Sequence, residues 1–394
     1  MRTSDDVSRR RFLASLAAAA AASTSQLAWA ADPLKIGLIL PLTGPFASTG
    51  RQVEAAAKLY IARNGDTVAG RKVEVIIKDS QGAQPDVAKR LVTELVTRDK
   101  VDFIVGFALT PNAMAAAPVV TEAKVPTIIM NAATSAIVSK SPYMARVSMT
   151  LPQVTMPIAQ WAAKNNIKKV YSLVADYGPG LDAEATFKKN FTAAGGELVG
   201  EVRTPLKNPD FGPFIQRIKD AKPQAVFIFL PAGEQAVAFM KGYRERGLAE
   251  AGIRIIGPGD VVEDDVLEAI GDSALGAVTT HHYSAAHDSK LNHEYVKAYE
   301  EKFKIRPNFM SVGGYDGMAV IYAVAKKLNG KIDADKAMEA IKGMKIDSPR
   351  GPIQIDATTR DVVQTVYVRK VEKKDGHLWN IEFDKLDNVR DPGT

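Results

Sequence analysis

Residues 34–63 read LKIGLILPLTGPFASTGRQVEAAAKLYIAR: an apolar run, a loop with proline and glycine, and a helical stretch. The run 34–40 stops at Pro41, which predicts a short buried strand. Ser48 and Thr49 are placed to cap a helix that ends near residue 63. Strand, loop and helix form the repeating unit of parallel α/β sheets, so this stretch predicts an α/β fold.

The same alternation continues toward the C-terminus. Strands and helices alternate over residues 34–149 and again over 151–277, residues 278–345 add two long helices, and strands alone follow Gly351. A single sheet of this many strands would be unusual, so we expect two three-layer α/β/α lobes joined by a hinge of several strands. The predicted lobes are residues 31–149 with 280–350, and residues 150–279 with 351–390.

Composition narrows the class of protein. The 394 residues are 46% hydrophobic and 24% charged, which suits a globular protein of about two domains. The formal net charge of +6 is spread thinly, with no basic block among aromatics, so no nucleic-acid partner is expected. There is no cysteine, which excludes disulfides, thiolate metal sites and cysteine nucleophiles.

Residues 1–30 read as a signal peptide. Arginines at positions 9–11 precede Phe12, an alanine-rich run follows, and Ala28-Trp29-Ala30 has the small-x-small pattern of a cleavage site. Paired arginines before Phe-Leu resemble a twin-arginine signal, and the apolar run is too short to span a bilayer. We therefore predict cleavage near Ala30 and a periplasmic location.

Short motifs fall in order near the ends of predicted strands, and the similar pattern around them extends over residues 34 to about 383. They are PLTGP at 41–45, IKD at 77–79, VG at 105–106, NAAT at 131–134, DYGPG at 176–180 and GP at 257–258. Together they resemble the leucine/isoleucine/valine-binding type of solute-binding protein of ABC transporters. That resemblance implies the type I periplasmic-binding-protein fold, with two lobes and a three-strand hinge. It also implies a small ligand, either an organic acid or an amino acid, and a membrane permease as partner; we expect a monomer.

Two loops of the first predicted lobe are candidates for binding a ligand carboxylate. They link strands to helices, where free N–H groups and the positive end of the helix dipole favour anions. Thr110 has another interpretation as a helix cap, and Asn131 and Thr134 have another interpretation as turn residues. The resemblance carries the carboxylate role to Thr110, Ala132 and Thr134. The candidate residues in these loops are Phe107, Ala108, Thr110, Asn131, Ala132 and Thr134.

In the second predicted lobe, Tyr177 follows a strand and is the best candidate for crossing the cleft. The family carries a Glu directly after Gly-Pro, which pairs with the ligand ammonium group, whereas this chain has Gly259 followed by Asp260. Either Asp260 takes over that role and the ligand resembles leucine, or no ammonium group needs a partner. Phe46 is expected to cover the ligand side chain, because Thr49 replaces the usual aromatic residue.

His281, His282 and Tyr283 form a further cluster. Neighbouring residues on a strand point to opposite faces, so we expect the two histidines not to share a metal ion. His281, His282 or Tyr283 is instead a candidate donor to an anionic ligand near the hinge.

No motif for catalysis is present: the sequence has no Gly-x-Ser-x-Gly, Walker A or dinucleotide fingerprint. We therefore expect no enzyme activity, no cofactor and no metal. The leading hypothesis is a periplasmic receptor for a carboxylate without an α-amine, specifically an aromatic acid held among Phe46, Phe107, Tyr177 and Tyr283. The alternatives are a binder of branched-chain or other neutral amino acids or amides, and a ligand sensor without transport. A hydrolase is a third class, which the missing nucleophile motif argues against.

Overall fold

A computed structural model describes residues 31–393. The predicted signal peptide, residues 1–30, lies outside the described residues. The apolar run at 34–40 belongs to strand β1 (Ala31–Leu40), as predicted. Helix α1 (Ala47–Asn64) follows it, but no side chain caps this helix, so the predicted Ser48 or Thr49 cap is wrong. The chain instead enters the helix through a turn in which the Ala47 amide donates to the Gly44 carbonyl.

The first sheet has six strands and contains β1 near its centre. All pairs are parallel except β2 with β3, which is antiparallel. In the order β2-β3-β1-β4-β5-β6, its other strands are β2 (Thr67–Val68), β3 (Arg71–Asp79), β4 (Phe103–Gly106), β5 (Thr127–Ile129) and β6 (Met144–Arg146). The connecting helices are α2 (Pro85–Glu94), which continues as a π-helical turn over Leu95–Asp99, and α3 (Thr110–Ala123).

The second sheet has nine strands and a mixed arrangement. Its first part is parallel and alternates with helices, and its last strands are antiparallel. The strands are β7 (Lys169–Ala175), β8 (Glu197–Thr204), β9 (Ala225–Phe229), β10 (Arg254–Pro258), β11 (Val278–His281), β12 (Lys345–Ile346), β13 (Ile353–Ile355), β14 (Val362–Lys374) and β15 (His377–Val389). The helices are α4 (Leu151–Lys164), α5 (Gly178–Ala193), α6 (Gly212–Ala221), α7 (Glu234–Glu245) and α8 (Leu267–Ile270).

The chain returns to the first sheet after β11. Three helices follow, α9 (Lys290–Phe303), α10 (Phe309–Lys327) and α11 (Ala334–Ile341). Helix α10 lies close to α1, because a β-carbon on Gly314 would sit 2.4 Å from the Val53 carbonyl oxygen. The chain then re-enters the second sheet through β12 to β15. The predicted α/β class with two sheets is confirmed, and the residue boundaries of the two lobes stay a prediction.

The antiparallel end of the chain is longer than predicted. Strands β14 and β15 run well beyond the predicted segments 362–369 and 379–383, and they pair along their length. Asp375 and Gly376 turn the hairpin with φ of 53° and 82°, the left-handed values that a tight hairpin turn requires. None of the helices within residues 31–393 is both long and apolar enough to cross a membrane.

Candidate ligand-binding site

Two threonines from the first sheet meet at the edge where its strands end. The Oγ1 atoms of Thr110 and Thr134 lie 3.1 Å apart and form a hydrogen bond. Thr110 opens helix α3 without capping it, so the structure contradicts its alternative interpretation as a helix cap. The positive end of the α3 dipole therefore lies at this threonine pair, where it favours an anion.

The second sheet reaches the same threonine pair through the start of helix α5. A β-carbon on Gly178 would lie 2.5 Å from Thr134 Oγ1 and 3.3 Å from Thr110 Cγ2. Only glycine allows this close approach. The N-termini of α3 and α5 thus converge on one place, and the hydroxyls of both threonines lie between them. This arrangement is suited to a carboxylate.

Tyr177 precedes Gly178 and links the threonine pair to the second sheet. Its ring stacks on Phe229, with centroids 6.1 Å apart and an interplanar angle of 17°. Burial raises the pKa of the Tyr177 hydroxyl well above its usual range, and the Asp260 carboxylate raises it further. The phenol is therefore protonated at neutral pH and lies within electrostatic reach of Asp260.

Asp260 and the two histidines form a buried polar cluster after β10 and β11. Asp260 Oδ2 lies 3.4 Å from His281 Nε2, and the His281 ring stacks on Phe309 with centroids 4.0 Å apart. Burial lowers the pKa of His281 to about 4, and burial also places that of His282 well below its usual value. Both imidazoles are therefore neutral at pH 7.

The expectation that His281 and His282 face opposite sides is wrong. Their Nδ1 atoms lie 2.8 Å apart, because β11 ends at His281 and the chain bends at His282. Within residues 31–393, no group of three or more His, Cys, Asp or Glu side chains is arranged to hold a metal ion. The two rings instead contact each other and Phe309.

Arg369 is the residue at this site that sequence reasoning missed. It lies on β14, is fully buried, and a β-carbon on Gly259 would sit 1.7 Å from its Nη2 atom. Its Nη1 atom donates to the Tyr283 carbonyl and lies 3.6 Å from Glu263 Oε1. A guanidinium group therefore fills the space beside Gly259, where the resembled family has a glutamate side chain.

Two of the four predicted aromatic rings, Phe107 and Tyr283, are buried in the structure. Phe107 has a φ of 58° and is 1% exposed, and it packs among apolar side chains that include Ile39. Tyr283 is fully buried, and its hydroxyl donates to Asn292 Oδ1 at 3.0 Å. Interior packing holds Phe107 and a hydrogen bond holds Tyr283, and the expectation that these rings contact the ligand stays a prediction.

The remaining predicted residues support the first-sheet loops. The side-chain amide of Asn131 donates to the Ala108 carbonyl at 2.8 Å, so Asn131 holds one loop against the other. The backbone N–H group of Ala132 donates to the Phe107 carbonyl at 2.8 Å, so this N–H group is not free to bind a ligand. The carboxylate role predicted for Ala132 can therefore not come from its N–H group.

Phe46 lies beside a separate cavity of about 350 Å³. It packs with Ala108 and Leu109 and meets Leu206, which follows β8 of the second sheet. Among the predicted site residues, Phe46 is the only one that lines this cavity, so the cavity is distinct from the threonine pair and the Asp260 cluster. The other lining residues include Gln84, Phe211 and Gln235.

The structure has two sheets, each flanked by helices, and their loops meet at a buried polar site. This arrangement is typical of a binding protein with two lobes. The profile of the periplasmic binding protein family matches residues 33–377. A Leu/Ile/Val-binding protein homolog 6 of Brucella melitensis is 46% identical over 384 residues, which cover 96% of this chain and 98% of the relative. The chain belongs to the periplasmic binding protein family, which confirms the resemblance and implies a periplasmic location.

Solved structures agree with the fold and extend the comparison to ligands. A solute-binding protein of an ABC transporter from Rhodopseudomonas palustris BisB5, in complex with 3,4-dihydroxybenzoic acid, is 58% identical with a TM-score of 0.90; the match covers 92% of this chain and 99% of that chain. A solute-binding protein from R. palustris in complex with 4-hydroxybenzoate is 43% identical with a TM-score of 0.89. This match also covers 92% of this chain and 99% of that chain. The predicted type I fold is therefore confirmed.

Proposed function

We propose that this protein is the periplasmic substrate-binding component of an ABC importer and captures a small aromatic carboxylate between its two sheets. The N-terminal segment would direct its export, and a membrane permease would receive the ligand. Two observations support this proposal: the convergence of two helix N-termini on the threonine pair, and the benzoates bound by similar proteins. The protein would act without catalysis.

The observation that carries the ligand class is the position of Arg369. An α-amino acid brings an ammonium group, which requires a carboxylate partner when it is buried. At Gly259 that carboxylate is missing, and the Arg369 guanidinium fills the space with a positive charge. Glu263 lies 3.6 Å from Arg369, so its side chain is already next to a cation. A ligand without an ammonium group suits this environment.

A second candidate, a neutral amino acid such as leucine, is favoured by one observation. Asp260 is buried, and its Oδ2 atom has no well-aligned hydrogen bond within the described residues. It is therefore available to an ammonium group approaching from the side away from Arg369. The Brucella relatives are named as Leu/Ile/Val-binding homologues, which also points in this direction.

Calorimetry on protein that has been unfolded and refolded to remove bound ligand separates the two candidates. We expect benzoate or 4-hydroxybenzoate to bind at least about 10-fold more tightly than leucine, a difference of about 1.4 kcal/mol. Phenylalanine, which combines an aromatic ring with an ammonium group, should bind as weakly as leucine. Tight leucine binding that is lost in Asp260→Asn would instead establish the amino-acid function.

A further inference from the structure

Three buried polar atoms near Gly259 make no well-aligned hydrogen bond among the described residues. They belong to neighbouring side chains: Asp260 Oδ2, His281 Nε2 and Arg369 Nε. Buried polar atoms in native proteins nearly always have partners, so such a group of unpaired atoms indicates a polar partner supplied from outside the chain.

These side chains are contiguous. A β-carbon on Gly259 would lie 1.7 Å from Arg369 Nη2 and 2.9 Å from His281 Cδ2, and Asp260 Oδ2 lies 3.4 Å from His281 Nε2. Asp260 is 6% exposed and His281 is fully buried. The stacking of His281 on Phe309 fixes the plane of the imidazole. The cluster is therefore a defined site rather than a set of separate surface groups.

The hydrogen bonds within the cluster determine what it can bind. The His282 backbone amide donates to His281 Nδ1 at 3.0 Å, so that nitrogen carries the lone pair. In a neutral imidazole the proton then lies on Nε2, which becomes a donor, whereas the Asp260 carboxylate can only accept. One donor and one acceptor thus face each other across a long, poorly aligned contact.

A hydroxyl group matches this pair, because it donates one hydrogen bond and accepts others. An ammonium group can only donate, and a carboxylate can only accept. We propose that Asp260 and His281 bind a ring hydroxyl of the ligand, so that the preferred ligand is a hydroxylated aromatic acid. This inference rests on the proposed function and adds to it which ring substituent is recognised and by which residues.

The two ends of such a ligand have separate places in the site. The threonine pair contacts Gly178, and the Tyr177 ring lies within electrostatic reach of Asp260. Because Tyr177 is the chain neighbour of Gly178, it connects the proposed carboxylate end at Thr134 with the proposed hydroxyl end at Asp260. A ring bound alongside Tyr177 would carry its carboxylate and its hydroxyl on opposite sides.

A cycle of ligands and variants tests the inference. Calorimetry would compare benzoate, 4-hydroxybenzoate and 3,4-dihydroxybenzoate on the wild type and on Asp260→Asn. We expect the wild type to bind the hydroxylated acids at least about 10-fold more tightly than benzoate, because an unpaired charged acceptor is costly. In Asp260→Asn that preference should fall to about 3-fold or less, while benzoate binding changes little.

His281→Phe provides a second variant, since it keeps a ring against Phe309 but removes the N–H donor. Asp272→Asn on an exposed carboxylate is the matched control and should bind like the wild type. If the wild type binds all three benzoates equally, or if both site variants weaken benzoate as much as the hydroxylated acids, the inference is overturned and the proposed function stands. If none of the benzoates binds, the proposed function itself fails.

Discussion

The Asp182 carboxylate accepts a hydrogen bond from the Ser135 backbone amide at 3.1 Å, and this bond joins the two sheets. Ser135 follows the Thr134 loop of the first sheet, and Asp182 lies in the second turn of α5. Burial raises the pKa of Asp182, although the Ser135 amide acts in the opposite direction. The bond therefore holds the Thr134 loop against α5.

Asp182→Ala should weaken ligand binding about 5- to 30-fold, because the loss of one hydrogen bond to a charged group favours separation of the sheets. Calorimetry measures the affinity. Small-angle scattering should show a smaller decrease in the radius of gyration on ligand addition than in the wild type, since hinge closure moves each sheet with its helices as a rigid body.

Asp176→Ala is the matched control, because Asp176 is an exposed carboxylate just before α5. It should bind and close like the wild type. If the wild type shows no change in its radius of gyration at saturation, closure of the two sheets is not part of binding.

Thr134→Ala should weaken binding of benzoates by about 1–3 kcal/mol, because the ligand carboxylate loses one hydroxyl donor. The free energy of unfolding without ligand should change by less than about 1 kcal/mol, since the lost Thr110–Thr134 hydrogen bond is modest. Calorimetry and chemical denaturation measure the two quantities. Thr134→Ser keeps the hydroxyl and should restore most of the affinity. Normal binding with reduced stability would show that Thr134 serves only the turn.

Much of the fold was predictable because each element carries its own pattern. The run at 34–40 and the valine-rich strand starting at Val362 are apolar in sequence and buried in the structure. The outer part of the β14–β15 hairpin was missed, because Lys373 and Lys374 are exposed and gain their strand conformation from pairing with β15. The local sequence of a strand does not indicate which other strand it pairs with.

The candidate site was predictable only where chain order determines it. Loops after parallel strands lie at one edge of each sheet, so chain order predicted the placement of Thr110, Thr134 and Tyr177 at such edges. The resemblance supplied the carboxylate role of the threonines, and that role stays a prediction. Arg369 was not predicted, because antiparallel pairing of β14 with β11 brings it opposite Thr279 and so to Gly259. A single arginine in a run of valines, together with a glycine in place of an acid, was the available signal.

Gly259→Ala should lower the free energy of unfolding by about 1–3 kcal/mol, because the new β-carbon and the buried Arg369 guanidinium compete for one space. In an Arg369→Leu background the same substitution should cost less. A double-mutant cycle by chemical denaturation measures this coupling, which we expect to be at least about 1 kcal/mol. Additive effects of the two substitutions would show that the side chains do not interact.

The buried neutral histidines should make the ligand-free protein less stable as the pH falls from 6.5 to 4. The pKa of His281 is lowered to about 4 in the folded state, whereas an unfolded histidine titrates near 6.5. In this window the unfolded chain takes up a proton at His281 that the folded chain does not, so the contribution of His281 to stability is complete above about pH 6.5 and falls by about 3 kcal/mol by pH 4. Chemical denaturation at several pH values, with the wild type and His281→Phe, isolates this contribution. The difference in stability between the two proteins should shift by about 3 kcal/mol in favour of the variant across the window, because every carboxylate they share cancels.

His293→Gln, at an exposed site, should follow the wild-type curve, and parallel curves for the wild type and His281→Phe would contradict the assignment of a buried neutral His281.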